Sequence, residues 1–328
     1  MKAKMTLMFV LALSAVSVLA GPDLTGVDES FSPEKLMDKV ARRFERQTPV
    51  LTLRFDIIYR FLFLELFRAA EAVVCTSEGV WTTEDGRRIP VYMMRINIDT
   101  VEGADEKKED QRVYIHDRIA AVLTRDDVST LLYVRYANQF MNPVFGRSKT
   151  NHALKIYDLQ DGDLDCFHYN FETRESESGL QNGDDLARQG REVSVLLKLV
   201  SAIYHGDRPH VETKTSPRIM VDMDGVVTPY AADSRPSECP IDWLPEDIET
   251  IEINLQPAPE ATVKRGRINF WLTSLSELAG AKGENALIEH ALRSPRWSMA
   301  PLMADYYMGL GRIRGKLTSL ELGDLLFD

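Results

Sequence analysis

Two carboxylates, Asp222 and Asp224, follow the short apolar run Ile219–Val221, and Gly225 comes directly after them. A carboxylate in this position could act as a nucleophile while its neighbour serves as general acid and base. Asp-Gly between two apolar runs is also the strongest short-range signal for a two-residue β-hairpin turn. The same residues therefore predict either a catalytic pair or a strand residue beside a turn.

The stretch Arg218–Tyr230 resembles the nucleophile segment of haloacid-dehalogenase-type phosphatases. That resemblance implies that Asp222 attacks phosphorus, that Asp224 acts as general acid and base, and that Mg²⁺ offsets the negative charge. Thr273 falls where this superfamily places a Thr or Ser after its second strand, and Lys316 would stand for its phosphate-binding Lys.

Two features of the chain favour the hairpin over the phosphatase. The superfamily needs a later strand that ends in acidic metal ligands, whereas Asp324 and Asp328 are the only late candidates. A nucleophile strand in a doubly wound sheet is buried on both faces, yet three apolar residues alone precede Asp222. We therefore predict a hairpin, and an exported Mg²⁺-dependent phosphatase is the alternative.

The stretch Tyr133–Gly146 mixes aromatic rings with Arg and Asn side chains and is the best candidate for ligand binding. Ligand sites are usually apolar clefts with a few polar groups, so this mixture suits an acyl chain or a glycan. It suits an ordinary core equally well, and the sequence leaves both interpretations open. The candidate ligand-binding residues are Tyr133, Tyr136, Phe140 and Phe145.

No cofactor motif or metal site is predicted, apart from the Mg²⁺ of the alternative. His205, Asp207 and His210 lie in one predicted loop and are possible metal ligands by residue type. Their spacing matches no known metal-site pattern, so a solvated turn is the simpler interpretation. One disulfide and one free thiol would fit the cysteine count, with the pairing left open. The cysteines are Cys75, Cys166 and Cys239.

The first twenty residues have the form of a secretory signal peptide. Lys2 and Lys4 precede an apolar stretch, and Val18–Ala20 suits a cleavage site before Gly21. An uncleaved anchor is the other interpretation, but the apolar stretch is short for a bilayer span. The later candidate Leu51–Val74 contains too many central charges for lipid. We therefore expect a periplasmic or secreted protein with no transmembrane segment after signal removal.

Acidic residues dominate the chain. The sequence has 39 Lys and Arg against 50 Asp and Glu; removing residues 1–20 takes away two Lys and leaves 37 against 50, a net charge of −13. Nucleic acids and anionic membranes are bound through Lys and Arg that neutralise phosphates. Bulk charge therefore argues against both as partners.

The segment Phe31–Pro49 predicts the first helix. Ser32 can cap it, Pro33 suits its first position, and an apolar residue recurs at every fourth position from Leu36 to Phe44. We expect about three turns that end before Pro49.

From Leu51 the apolar period changes to two and persists through Phe63, which predicts a long antiparallel strand with one buried face. Strand patterns also dominate most of the later chain. The polar segment Arg174–Asp185 predicts a surface loop, while Arg191–Gly206 and Ser276–Ser294 have helical character. The sum is a mostly antiparallel β protein with two or three helices.

The order of these elements resembles the exported bacterial proteins grouped as domain of unknown function 3108. The residues that match the ending of that family are Trp271, Leu272, Thr273, Pro301, Gly311, Ile313 and Leu317. The resemblance implies a curved antiparallel sheet or partial barrel that wraps a helix in the cell envelope. The implied fold is similar to that of lipoprotein and lipid carriers, and the family has no assigned catalytic activity.

The sequence thus predicts a mainly β protein in three parts. Residues 1–20 form the signal peptide, 21–48 an N-terminal helical segment and 49–328 a β-rich domain, with a subdivision near 207–217 as an option. The expected role is non-enzymatic: binding a hydrophobic or envelope-derived ligand such as a lipid or glycan, or acting as an envelope assembly partner. The alternative remains the phosphatase that uses Asp222.

Overall fold

The computed structural model describes a large part of the chain. The described residues are 31–61, 64–101, 113–126, 130–141, 149–160, 163–181, 218–223, 226–259, 266–283, 286, 289, 299–308 and 311–323. The predicted signal peptide, the helix expected at 191–206, the histidine loop at 205–210 and the optional subdivision near 207–217 lie outside these residues.

Within the described residues, helix α1 covers Pro33–Arg42 and helix α2 covers Leu275–Lys282. The first nine strands are β1 (Phe44–Arg46), β2 (Val50–Phe61), β3 (Leu64–Thr82), β4 (Arg88–Thr100), β5 (Val113–Thr124), β6 (Thr130–Met141), β7 (Lys149–Gln160), β8 (Asp163–Asn170) and β9 (Glu175–Gln181). The next six are β10 (Arg218–Met223), β11 (Val226–Ser237), β12 (Thr250–Pro257), β13 (Ile268–Ser274), β14 (Met299–Met308) and β15 (Gly311–Gly323).

All of these strands belong to one antiparallel sheet. Its order is β10-β11-β12-β13-β14-β15-β2-β3-β4-β5-β6-β7-β8-β9, and β1 pairs with β3. The end strands β9 and β10 are not paired with each other in the described part of the chain, so the sheet is unclosed. The prediction of a mainly antiparallel β protein with an N-terminal helix and a further helix is confirmed.

Helix α1 begins where the sequence predicts and has the predicted length. The Ser32 hydroxyl accepts a hydrogen bond from the backbone N–H of Lys35 at 3.3 Å. The helix has the expected length of about three turns and ends before Pro49, but Phe44, which the apolar repeat placed in the helix, lies in strand β1 and pairs with β3.

Glycine at position 79 permits the close approach of β1 to β3. A Cβ atom there would lie 2.3 Å from the carbonyl oxygen of Glu45 and 2.6 Å from the Phe44 ring. This strand contact competes with the helical pattern of the sequence, and the tertiary pairing decides the local structure.

The apolar run after Val50 contains a hairpin that the sequence pattern did not reveal. Strand β2 ends at Phe61, which pairs with Leu64 at the start of β3, and the predicted last strand residues Leu62 and Phe63 lie outside the described residues. Residues 62 and 63 are Leu and Phe, and neither is a turn former.

The predicted surface loop at Arg174–Asp185 was also wrong in its first half. Residues Glu175–Gln181 form β9 and pair with β8, although the side chains from Glu175 to Ser178 are exposed. Backbone pairing therefore holds this strand without burial of those side chains. A polar, charged edge strand also discourages pairing with other chains.

The two helices cover different parts of the sheet. Helix α1 packs Leu36, Met37 and Val40 against residues of β3 to β7. Helix α2 packs Leu275 and Leu278 against β2, β14 and β15. Fully burying one such side chain contributes about 1.5–3 kcal/mol, so both helices are fixed mainly by their apolar faces.

Cys75 and Cys239 carry free thiols, while the side chain of Cys166 lies outside the described side chains. Burial raises the pKa of the Cys75 thiol, and the Thr52 hydroxyl lies 3.4 Å from its sulfur. Neither of these two helices is long and apolar enough to cross a membrane, and the described residues contain no other that is.

Candidate functional site

The aromatic stretch predicted to bind a ligand lies on β6 and divides between the two faces of the sheet. Tyr133 and Tyr136 are three residues apart, so their side chains point to opposite faces. Both are buried, and they pack in different apolar clusters. Phe140 is half-buried, and Phe145 lies outside the described residues. The structure therefore does not bring Tyr133 and Tyr136 onto one surface.

On the Tyr133 face, residues of β6 and β7 form cross-strand rows. Tyr133 lies directly opposite Tyr157, and their ring centroids are 6.0 Å apart. Arg135 lies directly opposite Lys155 in the next row. Directly opposite side chains share a face and contact each other, so two cations lie beside an aromatic pair.

A cleft forms where the side chains of this face become small. Ala137 lies opposite Ala153 in the row that follows Arg135 and Lys155. The cleft is lined by these four residues and Asn151, and its volume of about 10 Å³ is roughly the space for one water. Two methyl groups between longer polar side chains account for the opening.

Asp117 of β5 supports the cleft from the neighbouring strand. It is the cross-strand partner of Ala137 and is 1% exposed. One carboxylate oxygen accepts a hydrogen bond from Gln139 Nε2 at 2.5 Å and lies 3.5 Å from Arg135 Nη2. Burial raises the pKa of Asp117, and the charge of Arg135 opposes that shift. A buried carboxyl paired with a guanidinium beside a cleft is a candidate functional group.

The arrangement is suited to holding an anion. Arg135 and Lys155 both line the cleft, and guanidinium and ammonium groups bind carboxylates and phosphates. Asp117 pairs with Arg135, and Tyr157 lies one row away as a partly buried aromatic side chain.

Only part of this site is visible in the sequence. Arg135 belongs to the predicted aromatic stretch, but Asp117 and Lys155 come from other strands and were missed. The available signal for Asp117 was a carboxylate between Ile115 and Ile119, the apolar residues at the alternate positions that share its face of β5. The pairing of Lys155 with Arg135 depends on strand register, which no local pattern encodes.

The opposite face of β6 is filled with rings. The Tyr136 hydroxyl lies 3.1 Å from His152 Nε2, and Phe171 stacks on His152 with centroids 4.3 Å apart and planes at 16°. Phe31, just before α1, lies 5.9 Å from the Tyr136 ring. Burial lowers the pKa of His152, and Glu172 opposes that shift. This side of Tyr136 is packed core.

Charged residues tie the start of α1 to the same face. His116 Nδ1 lies 2.8 Å from Asp99, and Arg118 Nη1 donates to both Asp99 carboxylate oxygens at 3.0 Å. Glu34 of α1 lies 3.6 Å from His116 Nε2. In the part of the chain that the structure describes, no three His, Cys, Asp or Glu side chains are grouped to hold a metal ion.

The backbone at Asp222 forms the predicted hairpin. Asp222 pairs with Val227 and Met223 pairs with Val226, so residues 224 and 225 connect two antiparallel strands. In the phosphatase alternative, the strand that carries the nucleophile would lead into a helix and would have a parallel neighbour in a doubly wound sheet. The hairpin is confirmed, and Asp224 itself lies outside the described residues.

The other two residues of the phosphatase alternative lie on separate strands. Thr273 of β13 is fully buried and donates to the carbonyl oxygen of Glu249 at 2.7 Å. Lys316 of β15 places Nζ 2.8 Å from an Asp242 carboxylate oxygen. Strands β11 and β12 lie between β10 and β13, so the structure does not bring Asp222 next to Thr273.

No family model and no curated protein matches this sequence. Among solved structures, the chain is similar to a β-barrel-like protein of domain of unknown function DUF1849 from Brucella abortus. The sequence identity is 10%, the match covers 84% of this chain and 98% of that chain, and the TM-score is 0.40. Membership in domain of unknown function 3108 stays a prediction.

Proposed function

We propose that this protein is an exported, non-enzymatic binding protein whose Arg135–Lys155 cleft holds the acidic head of an envelope-derived amphipathic ligand. The observation that carries the proposal is the placement of two cations in one cleft, one row from the Tyr133–Tyr157 pair. A fatty acid or an anionic lipid combines a negative head with an apolar chain, which are the two features that this surface suits.

The cleft determines how such a ligand would bind. It has room for about one water, so the head group would displace water and contact the ends of Arg135 and Lys155. Hydrogen bonds to charged groups contribute about 1.5–3 kcal/mol each. The chain would lie over Tyr157 and gain about 0.8 kcal/mol per buried CH₂.

Export and the absence of catalysis are parts of the same proposal. The form of residues 1–20 supports export to the periplasm or the cell exterior. The separation of Asp222 from Thr273 in strand order supports a binding role over phosphoryl transfer. Holding an amphipathic ligand requires no chemical step and no metal ion.

Calorimetric titration of residues 21–328 tests the proposal. One titration uses oleate and the other oleyl alcohol, its uncharged counterpart, both below the concentrations at which they aggregate. Oleate should bind at least about tenfold more tightly than the alcohol, and Arg135→Gln with Lys155→Gln should remove that difference. Arg88→Gln with Lys39→Gln removes the same charge at exposed positions and should leave binding unchanged.

The proposal is wrong if neither compound binds and no lipid is extracted from protein purified from a cell envelope. Equal affinities for oleate in the parent and the Arg135/Lys155 variant would also exclude this cleft. In that case an assembly partner would become the better interpretation of the fold.

A further inference from the structure

Three arginines and a tyrosine form a cross-strand row on one face of the sheet, outside the strands that line the cleft. The Tyr307 backbone N–H donates to the carbonyl oxygen of Arg267 at 2.9 Å. Tyr307 of β14 lies opposite Arg312 of β15, which lies opposite Arg60 of β2. Directly opposite side chains share a face. We call Arg267, Tyr307, Arg312 and Arg60 the arginine row.

The local backbone brings Arg267 into this row. Position 266 is glycine, and a Cβ atom there would lie 1.7 Å from the Tyr307 carbonyl oxygen. The close approach leaves the Arg267 guanidinium carbon 4.2 Å from the centre of the Tyr307 ring, and that of Arg312 lies 5.8 Å from it. Two guanidinium groups therefore share one aromatic ring.

A buried carboxylate holds the neighbouring arginines in place. Asp305 is fully buried and accepts hydrogen bonds from Arg314 Nε and Nη2, both at 2.7 Å. It also accepts one from Arg312 Nη1 at 2.9 Å. Arg312 and Arg314 thus share one carboxylate.

Unsatisfied donors indicate what this surface would bind. Nε of Arg267 and Nε of Arg312 are buried and have no hydrogen-bond acceptor within the described residues. A buried donor without an acceptor is unfavourable. Guanidinium groups bind phosphate through paired N–H donors, so a phosphate would supply both acceptors and negative charge.

We propose that the arginine row binds the phosphate group of a small ligand, either free phosphate or a phosphate ester. The acidic chain, with a net charge of −11 over the full sequence, does not favour nucleic acid as the source. The proposal is independent of the Arg135–Lys155 cleft, because β3, β4 and β5 separate β2 from β6 in the sheet.

Calorimetric titration of residues 21–328 with inorganic phosphate and with glycerol phosphate, in low-salt chloride buffer, tests the site. Both compounds should bind if the group recognised is the phosphate itself, and preference for the ester would identify a larger ligand. Arg267→Gln should weaken binding at least about tenfold. Arg235→Gln, which removes an exposed arginine paired with Glu252, should bind as the parent does.

Arg267 is the decisive position, because its described contact is the stacking on Tyr307. The Arg312→Gln variant also removes a partner from buried Asp305, so its fold is checked by circular dichroism before titration. Absence of phosphate binding by the parent, or unchanged affinity in Arg267→Gln, would overturn the proposal. If the Arg135/Lys155 variant lost phosphate binding while Arg267→Gln kept the affinity of the parent, the phosphate would bind in the cleft and not at the arginine row.

Discussion

The two faces of strand β6 differ in how they use aromatic residues. On one face, Tyr136, His152 and Phe171 pack against each other and fill the space beneath the start of α1. On the other, Ala137 and Ala153 leave an opening beside longer polar side chains. A single sequence stretch thus contributes to a filled core and to a candidate site, and side-chain size on neighbouring strands decides which is which.

The largest expected effect comes from removing a ring on the filled face. Tyr136→Ala should lower the free energy of unfolding by about 3–5 kcal/mol, because it leaves a cavity among packed rings. Tyr157→Ala on the cleft face should cost less, since Tyr157 is only partly buried beside the cluster that contains Tyr133. Urea denaturation measures both, and equal losses would contradict the comparison.

Filling the opening should affect binding more than folding. Ala153→Leu places a larger side chain in the cleft, so oleate affinity should fall at least about tenfold while overpacking costs about 1–3 kcal/mol. Ala153→Ser adds one small group and should keep binding. Calorimetry of both variants tests this, and retained affinity in Ala153→Leu would place the ligand elsewhere.

The buried carboxyl beside the cleft predicts an unusual pH dependence. The pKa of Asp117 is raised in the folded state by burial, so its contribution to stability is present below its ordinary pKa of 3.8 and is lost as pH rises through the raised value. Asp117→Asn should remove this loss. The stability of the variant relative to the parent should therefore increase from pH 4 to pH 7, and a constant difference would be the contrary result.

The filled face should respond to acid in the opposite direction. Burial lowers the pKa of His152, so its contribution is present above its ordinary pKa of 6.5 and is lost as pH falls through the folded value. His152→Phe keeps a ring on Phe171 and should lose less stability between pH 7 and pH 5 than the parent. Thermal unfolding of both proteins at several pH values measures this difference. If the stability of the variant and of the parent fell equally from pH 7 to pH 5, His152 would not be the source of the acid sensitivity.

The smallest expected effect is at the Asp-Gly hairpin, outside both faces of β6. Asp222→Asn should leave Mg²⁺-dependent phosphate release at the background level of the parent, since Asp222 lies in an antiparallel hairpin. Release by the parent that disappears in the variant would restore the phosphatase alternative. It would also remove the basis for a purely binding role.

Local patterns in the sequence were enough to predict several elements. Ser32 and Pro33 define the start of α1, the period of two predicts β2, and Asp224-Gly225 predicts the β10–β11 hairpin. These signals are short-range: a cap, an alternation and a turn each depend on neighbouring residues. The sequence showed that the Tyr133–Gly146 stretch is chemically mixed, but it did not divide the residues of this stretch between two faces of a strand.

The tertiary structure decided what depends on contacts between distant residues. Phe44 lies in a strand because residues 44–46 pair with β3, and β9 forms because the polar segment pairs with the edge of β8. The Arg135–Lys155 pair and the arginine row both follow from strand register, which joins residues far apart in the chain. A shift of one residue would move each side chain to the other face, so composition and local spacing cannot specify these sites.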